Sequence, residues 1–302
     1  MSKKISIIGV PMDFGQLLRG VDMGPAAVRY SGLIPRLRAL GHEVIDTGDI
    51  KIPIRDDDNS ISKTGIAKKD KYLKEITQIC NSIYKTGKKV IKQGHFPLFI
   101  GGDHSIAIGT VAAVTNSEPT GLIWIDAHAD FNTPGTSPSG NIHGMPLAVL
   151  IGEGHDSLVN VGRKGAKINP DNVVMICQRD LDEKEKQRLK KYGITIFTMR
   201  DIDEQGISSI AHKALMKFIH LKKVHLTLDM DALDPLEAPG VGTPVPGGIS
   251  YREAHLLMEV FADSGKIGSM DLVEINPILD IANKTAKLAV ELTLSALGKS
   301  IL

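Results

Sequence analysis

The chain has 302 residues, 42% hydrophobic and 24% charged, the balance of a folded protein with room for one large domain or two small ones. Its formal net charge is +1 and its basic residues are scattered, which argues against a nucleic-acid or membrane-surface partner. Two cysteines, Cys80 and Cys177, stand far apart with no CxxC, so no disulfide framework is expected and a reducing, cytoplasmic setting fits.

The opening run ISIIGV (5–10) reads as a first strand rather than the core of a signal peptide, because Pro11 ends it early. Residues 25–40 read as a helix entered through Pro25, a good first-turn residue. Strand EVIDT (43–47), a helix over 70–93, strand FPLFI (96–100) and a helix over 105–115 follow. Next come strand GLIWID (121–126), strand VVMIC (173–177), a helix over 182–191 and strand TIFTM (195–199). The chain ends with a helix over 207–219, strand VHLTLDM (224–230), a helix over 250–263, strand GSMDLVEI (268–275) and a helix over 284–298. The Lys/Glu run 183–191 reads as a solvated helix face. No apolar run approaches the ~18 residues of a membrane span. Strands alternating with helices predict a three-layer α/β fold: one domain over 1–302, with a central parallel sheet of about eight strands flanked by helices.

Ligands of such sheets bind beyond the carboxyl ends of the strands. Three strand ends carry unusual polar clusters. FPLFIGGDHS ends in Asp103 and His104, LIWIDAHAD in Asp126, His128 and Asp130, and VHLTLDMDALDP in Asp229, Asp231 and Asp234. Extended residues two apart point the same way, so Asp126, His128 and Asp130 can face one point, as can Asp229 and Asp231. Gly101 and Gly102 allow a turn that aims His104 inward. Buried unpaired, these acids would repel at a cost of many kcal/mol. Either they protonate or cations sit among them. Two divalent ions would balance Asp126, Asp130, Asp229 and Asp231, with His104 and His128 completing the donor set. Oxygen-rich sites with one imidazole each and no thiolate suit an ion such as Mn²⁺. Two such ions can share a water and lower its pKa toward neutrality, giving a hydroxide nucleophile. Asp103 and Asp234 read instead as turn-forming or supporting acceptors.

The set GGDHS, DAHAD, SGNIHGMP, DMDALDP and EINP resembles the ureohydrolase (arginase/agmatinase) family, over nearly the whole chain from IIGVPMDFGQ onward. That resemblance implies a two-manganese hydrolase that cleaves a guanidinium group and releases urea. Its metal positions fall on His104, Asp126, His128, Asp130, Asp229 and Asp231. SPSGNIHG (137–144) is similar to the arginase form of its loop, which implies that Asn132, Ser139 and Asn141 hold the α-carboxylate of L-arginine by neutral hydrogen bonds. RDLDEKE (179–185) resembles the arginase pattern too, with Asp182 and Glu185 near the α-amino group. GVGTPVPGGISYRE implies Thr243 near the metals. Alone, His143 would be a surface histidine and Glu274 a pairing acid. The resemblance makes His143 a proton shuttle to the leaving amine and Glu274 the holder of the guanidinium. Asp130 would accept a hydrogen bond or proton from the attacking hydroxide. It also implies a homo-oligomer, a trimer or a hexamer built of trimers.

Two residues depart from the family pattern. Cys177 stands where glycine is usual, adding bulk beneath the loop that presents Asp182. Phe131 replaces a small aliphatic residue and is expected to narrow the pocket. Other readings stay open: an agmatinase or guanidino-acid hydrolase, a two-metal phosphoesterase, or a non-catalytic metal-binding protein. The chain shows no Gly-rich phosphate cradle or clustered arginines at its strand ends, against the phosphoesterase. A metal-binding scaffold would need neither His143 nor Glu274. His255 reads as a packing or surface residue, and His42, His95, His155, His212, His220 and His225 lack ligand spacing.

Overall fold

The computed structural model describes residues 2–55 and 72–300. The strands β1 (Lys4–Val10), β2 (Glu43–Asp49), β3 (Phe96–Gly101), β4 (Thr120–Ile125), β5 (Val173–Gln178), β6 (Thr195–Thr198), β7 (Lys223–Asp229) and β8 (Ile267–Val273) form one parallel sheet. Their order is β2-β1-β3-β8-β7-β4-β5-β6. Between them run α1 (Gly24–Tyr30), α2 (Leu33–Ala39), α3 (Leu73–Lys92), α4 (Ala107–Val114), α5 (Pro146–Leu150), α6 (Asp156–Val159) and α7 (Glu183–Tyr192). They are followed by α8 (Met199–Gln205), α9 (Ile207–Lys217), α10 (Tyr251–Asp263) and α11 (Lys284–Ala296). Among the described residues, no helix is long and apolar enough to cross a membrane.

Strand alternation builds a core on each face of the sheet. Ile5 and Ile7 of β1 join the core formed with α1, α2 and α9 to α11, whereas Ile8 and Val10 join the core formed with α3 and α4. A third cluster, around Trp124, Phe131 and Leu147, ties β4 and β5 to α4, α5 and α7. Strands covered on both sides are continuously apolar, and β3, β4 and β5 are buried along their whole length. This is the three-layer α/β fold that the alternation predicts.

Two local expectations fail, and two short helices were not expected. The helix expected over 25–40 is two helices, because Gly32 takes the left-handed conformation (φ 84°) and breaks the ladder. Met199, expected in a strand, starts α8, which a Thr198–Asp201 capping box nucleates. α5 and α6 have five and four residues, too few to show a helical period. In the helix expected over 70–93, residues 70 and 71 lie outside the described residues.

The carboxyl ends of the central strands are locked to one another through their backbones. The Gly102 N–H donates to Val10 O, the Asp103 N–H to Met12 O, and the Glu274 N–H to Gly102 O (2.8, 2.8 and 2.9 Å). A Cβ at Gly102 would overlap the Met12 carbonyl, so this turn requires glycine on grounds of space. Gly102→Ala is expected to cost about 1–3 kcal/mol of overpacking. Thermal melts should show the midpoint lower by several degrees. An unchanged melt would mean that the turn can shift.

Candidate active site

The acids and histidines converge because five adjacent central strands, β3, β8, β7, β4 and β5, end on the same side of the sheet. His104 follows β3 in a short 3-10 turn, which the Asp103 carboxylate caps by accepting the Ser105 N–H (3.0 Å). Asp126, His128 and Asp130 follow β4, Asp229 ends β7 with Asp231 just beyond, and Glu274 follows β8. Asp130 and Glu274 hold left-handed backbone (φ 50° and 61°), rare for residues with a side chain and concentrated where a chain must bend to aim a group.

Two groups form. His104 Nδ1 lies 3.0, 3.1 and 3.2 Å from carboxylate oxygens of Asp126, Asp130 and Asp229. His128 Nδ1 lies 3.0 Å from Asp231 and 3.5 Å from Asp126. Asp126 belongs to both groups, and His104, Asp126 and Asp130, like Asp126, His128 and Asp231, lie close enough together to hold one ion. His104 Nδ1 is wholly buried yet makes no hydrogen bond of acceptable geometry with the three oxygens around it. A proton there could point at one oxygen only, whereas a cation can meet all of them together with the ring nitrogen. The donor set therefore fits a pair of divalent ions of the hard-to-borderline kind.

Without an ion the electrostatics are frustrated. Burial, then the charge of Asp126, pushes Asp130 up to about 6, and burial with the charge of Asp231 drives Asp229 far above the carboxylate range. Burial would raise Asp126 as well, but its contacts with His104 and His128 hold it down. Burial works against charge on His128, yet Asp126 and Asp231 push it up to about 12. Burial and mutual repulsion thus push Asp130, Asp229 and Asp231 toward the protonated form.

The clustered acids and histidines are held from behind. His104 Nε2 meets Thr227 Oγ1 at 2.9 Å, and the Trp124 ring stacks on the imidazole at 4.1 Å. Trp124 Nε1 donates to Asp126 Oδ2 (2.9 Å), and the Asp231 N–H is accepted by Asp229 Oδ1. Thr243 Oγ1 donates to Asp231 Oδ2 (3.0 Å). Glu274 is buried and fully engaged: it accepts from the His104 N–H (2.9 Å) and Gln16 Nε2 (2.8 Å), and His143 Nδ1 lies 3.0 Å away. Burial alone would lower the His143 pKa, but Glu274 raises it to about 9.

One cavity opens over this cluster. Its wall carries His128, Asp130, Asn132, Ser139, His143, Asp182, Glu185, Asp229, Asp231, Thr243 and Glu274. His104 and Asp126 lie buried beneath. Asn141 is not on the wall, and its N–H donates to Ser139 Oγ (3.2 Å). Asn132 Nδ2 donates to Asp182 (2.8 Å). Asp182 caps α7, and Glu185 accepts the N–H groups of Asp182 and Phe131. Glu185 is therefore buried in a run expected to be solvated, and burial lifts it to about 7. The cavity also contains Ser137 and Asp180, the latter 3.9 Å from His128 Nε2, which the sequence reading did not single out. Thr227 and Trp124 escaped it too, although each stands two residues before an acid of the cluster and hence on the same face of its strand.

The arginase family model matches residues 3–298, almost the whole chain. The chain belongs to the arginase family. It is 51% identical over 306 residues to the arginase of Bacillus subtilis (strain 168), with both chains covered in full. The structure of the arginase from Bacillus caldovelox superposes with a TM-score of 0.94 at 47% identity, covering 99% of this chain and 100% of that one. The crystal structure of Entamoeba histolytica arginase in complex with L-ornithine gives 0.90 at 30% identity, with 99% of each chain covered.

The two departures from the arginase-family pattern resolve differently. Cys177 adopts φ 78° at an irregularity in β5, the left-handed conformation in which glycine is strain-free. Its thiol is buried in the core and pushed up by desolvation, and it is not part of the cavity wall. Phe131 does not narrow the cavity, contrary to expectation. It packs inward, edge-on to Tyr192 at 5.5 Å, in the cluster with Trp124.

Two outcomes follow from these supports. Thr227→Val removes the partner of His104 Nε2 and should weaken divalent-metal binding about 10–100-fold, measured by titration of chelator-stripped protein. In metal-free protein the His143–Glu274 pair contributes stability fully below the unfolded histidine value of about 6.5, lost as pH rises through about 9. The difference in melting temperature between wild type and His143→Ala should therefore be largest near about pH 6 and shrink by about pH 10.

Proposed function

We propose that this chain is a manganese-dependent arginase that hydrolyses the guanidinium group of L-arginine to L-ornithine and urea. The observation that carries this reading is the make-up of one cavity. Its floor holds two metal-type groups beside Glu274, and the same wall holds Asn132, Ser139 and Asp182, groups suited to an amino acid's carboxylate and ammonium. The likeness to arginases, one of them solved with L-ornithine, supports it. In this reading the protein works in the cytoplasm with two Mn²⁺ per chain, as a homo-oligomer, trimer or hexamer.

His104, Asp126, Asp130 and Asp229 would hold one ion, and Asp126, His128 and Asp231 the other. When bound, such a pair supplies Lewis acidity and a water acidified to near-neutral pKa. Glu274 orients the guanidinium, for which a carboxylate fixed by Gln16 and the His104 N–H is a planar acceptor. Asp130 takes a hydrogen bond or proton from the attacking water. His143, kept protonated by Glu274, gives a proton to the departing amine, and the products are ornithine and urea. Asn132 and Ser139 bind the α-carboxylate directly and Asn141, off the wall, through water. Asp182 and Glu185 receive the α-ammonium, and Thr243 steadies Asp231 beside the reacting carbon.

Urea release from L-arginine, agmatine and 4-guanidinobutyrate, with Mn²⁺ and with chelator, tests the reading. Metal-dependent turnover of arginine above the others is expected. No turnover of arginine, with agmatine or the guanidino acid cleaved, would replace it by the neighbouring ureohydrolase activity. His143→Ala should lose about 10²–10⁴ in turnover while still binding two ions, and unchanged turnover would remove the shuttle.

A further inference from the structure

Arg179 lies in the RDLDEKE stretch, and neither the ligand set nor the substrate contacts use it. All three of its guanidinium nitrogens donate to backbone carbonyls. Nη2 reaches Asp231 O (2.7 Å), Val245 O (2.7 Å) and Leu233 O (3.3 Å). Nη1 reaches Ala232 O (3.1 Å) and Cys177 O (3.3 Å), and Nε reaches Val245 O (3.2 Å). Among the described residues Arg179 pairs with no carboxylate. Its own N–H, and that of Asp180, donate to Ala127 O (2.9 and 3.1 Å), the peptide between Asp126 and His128. The Ala127 N–H in turn donates to Asp231 Oδ1 (3.2 Å).

Asp231, and the turn that carries His128 with the shared Asp126, are thus tied to this residue. Its backbone grips the Asp126–His128 turn, and its side chain grips Asp231 and the loop that carries Thr243. The other group has separate supports, Thr227 and Trp124 behind His104. A planar fork with five donors can satisfy carbonyls converging from three segments, which a lysine ammonium cannot do from one point. The same residue leads straight into Asp180 and Asp182.

We infer that Arg179 is a positioning residue that sets the His128–Asp231 metal group selectively, and couples it to the loop bearing Asp182. This rests on the two-ion reading above. The test is calorimetric titration of chelator-stripped full-length protein with Mn²⁺, alongside thermal melts. Wild type must bind two ions per chain, and failure there would sink the two-ion reading itself. Arg179→Lys is expected to weaken one ion about 10–100-fold and leave the other within about twofold. The weakened ion should be the one lost in His128→Ala. Adding Arg179→Lys to His128→Ala should leave the remaining ion's affinity unchanged. Equal weakening of both ions, no weakening, or weakening of the ion that survives in His128→Ala would overturn the inference. Arg179→Gln is the second variant. If both variants melt without a folded baseline, Arg179 is a general scaffold residue and the selective role is wrong.

Discussion

The whole architecture answers one electrostatic problem: four carboxylates and two imidazoles brought together at one end of the sheet. Asp126, Asp130, Asp229 and Asp231 are all buried. Two like charges about 4 Å apart repel by about 4 kcal/mol even at a moderate effective dielectric. Several such pairs would consume a large part of a domain's net stability of about 5–15 kcal/mol. The parallel sheet makes the crowding possible, because it ends five neighbouring strands on one side and leaves no alternative direction for their side chains. Protons or cations must then relieve it. Burial and neighbouring charge push Asp130, Asp229 and His128 up, the direction that relief by protons takes. The Nδ1 atom of His104, ringed by three oxygens that it cannot bond together, shows why the protonic form fits poorly.

Much of this is legible in the amino-acid order because strand alternation is a strict period. Apolar runs of five or six residues followed by acids at every second position have one consistent explanation, a buried strand ending at a site. The same logic makes Thr227 and Trp124 legible in retrospect. Both occupy the ligand face two positions upstream, inside runs that read as ordinary core. A polar or aromatic residue there gives no alarm until its neighbour is seen to join the cluster.

What stayed hidden depends on backbone geometry rather than on pattern. The break at Gly32 turns one expected helix into two, yet glycine inside an apolar period is ambiguous between tolerance and termination. Phe131 looked like bulk in the pocket because it is larger than the small aliphatic residue usual at that position. The left-handed bend at Asp130 sends consecutive side chains to different places, the acid to the cavity and the ring to the core. Arg179 was invisible for a deeper reason. Its partners are carbonyl oxygens, which every residue possesses, so no side-chain spacing announces them.

Cys177 joins these threads. A left-handed residue with a Cβ costs about 1–2 kcal/mol relative to glycine. The bend is nonetheless required, because the irregularity at this point of β5 turns Gln178 so that its Nε2 donates to Asp126 O (2.9 Å) and sets Arg179 over the Asp231 loop. Glycine would supply the bend freely but would leave this core one side chain short. The thiol offsets part of the strain by burial, at roughly 0.8 kcal/mol per methylene-sized group. It stays protonated and inert because desolvation raises its pKa. The substitution thus exchanges backbone ease for packing and leaves the direction of the chain unchanged. That is why a residue atypical of the family can stand beside the metal groups without entering the cavity.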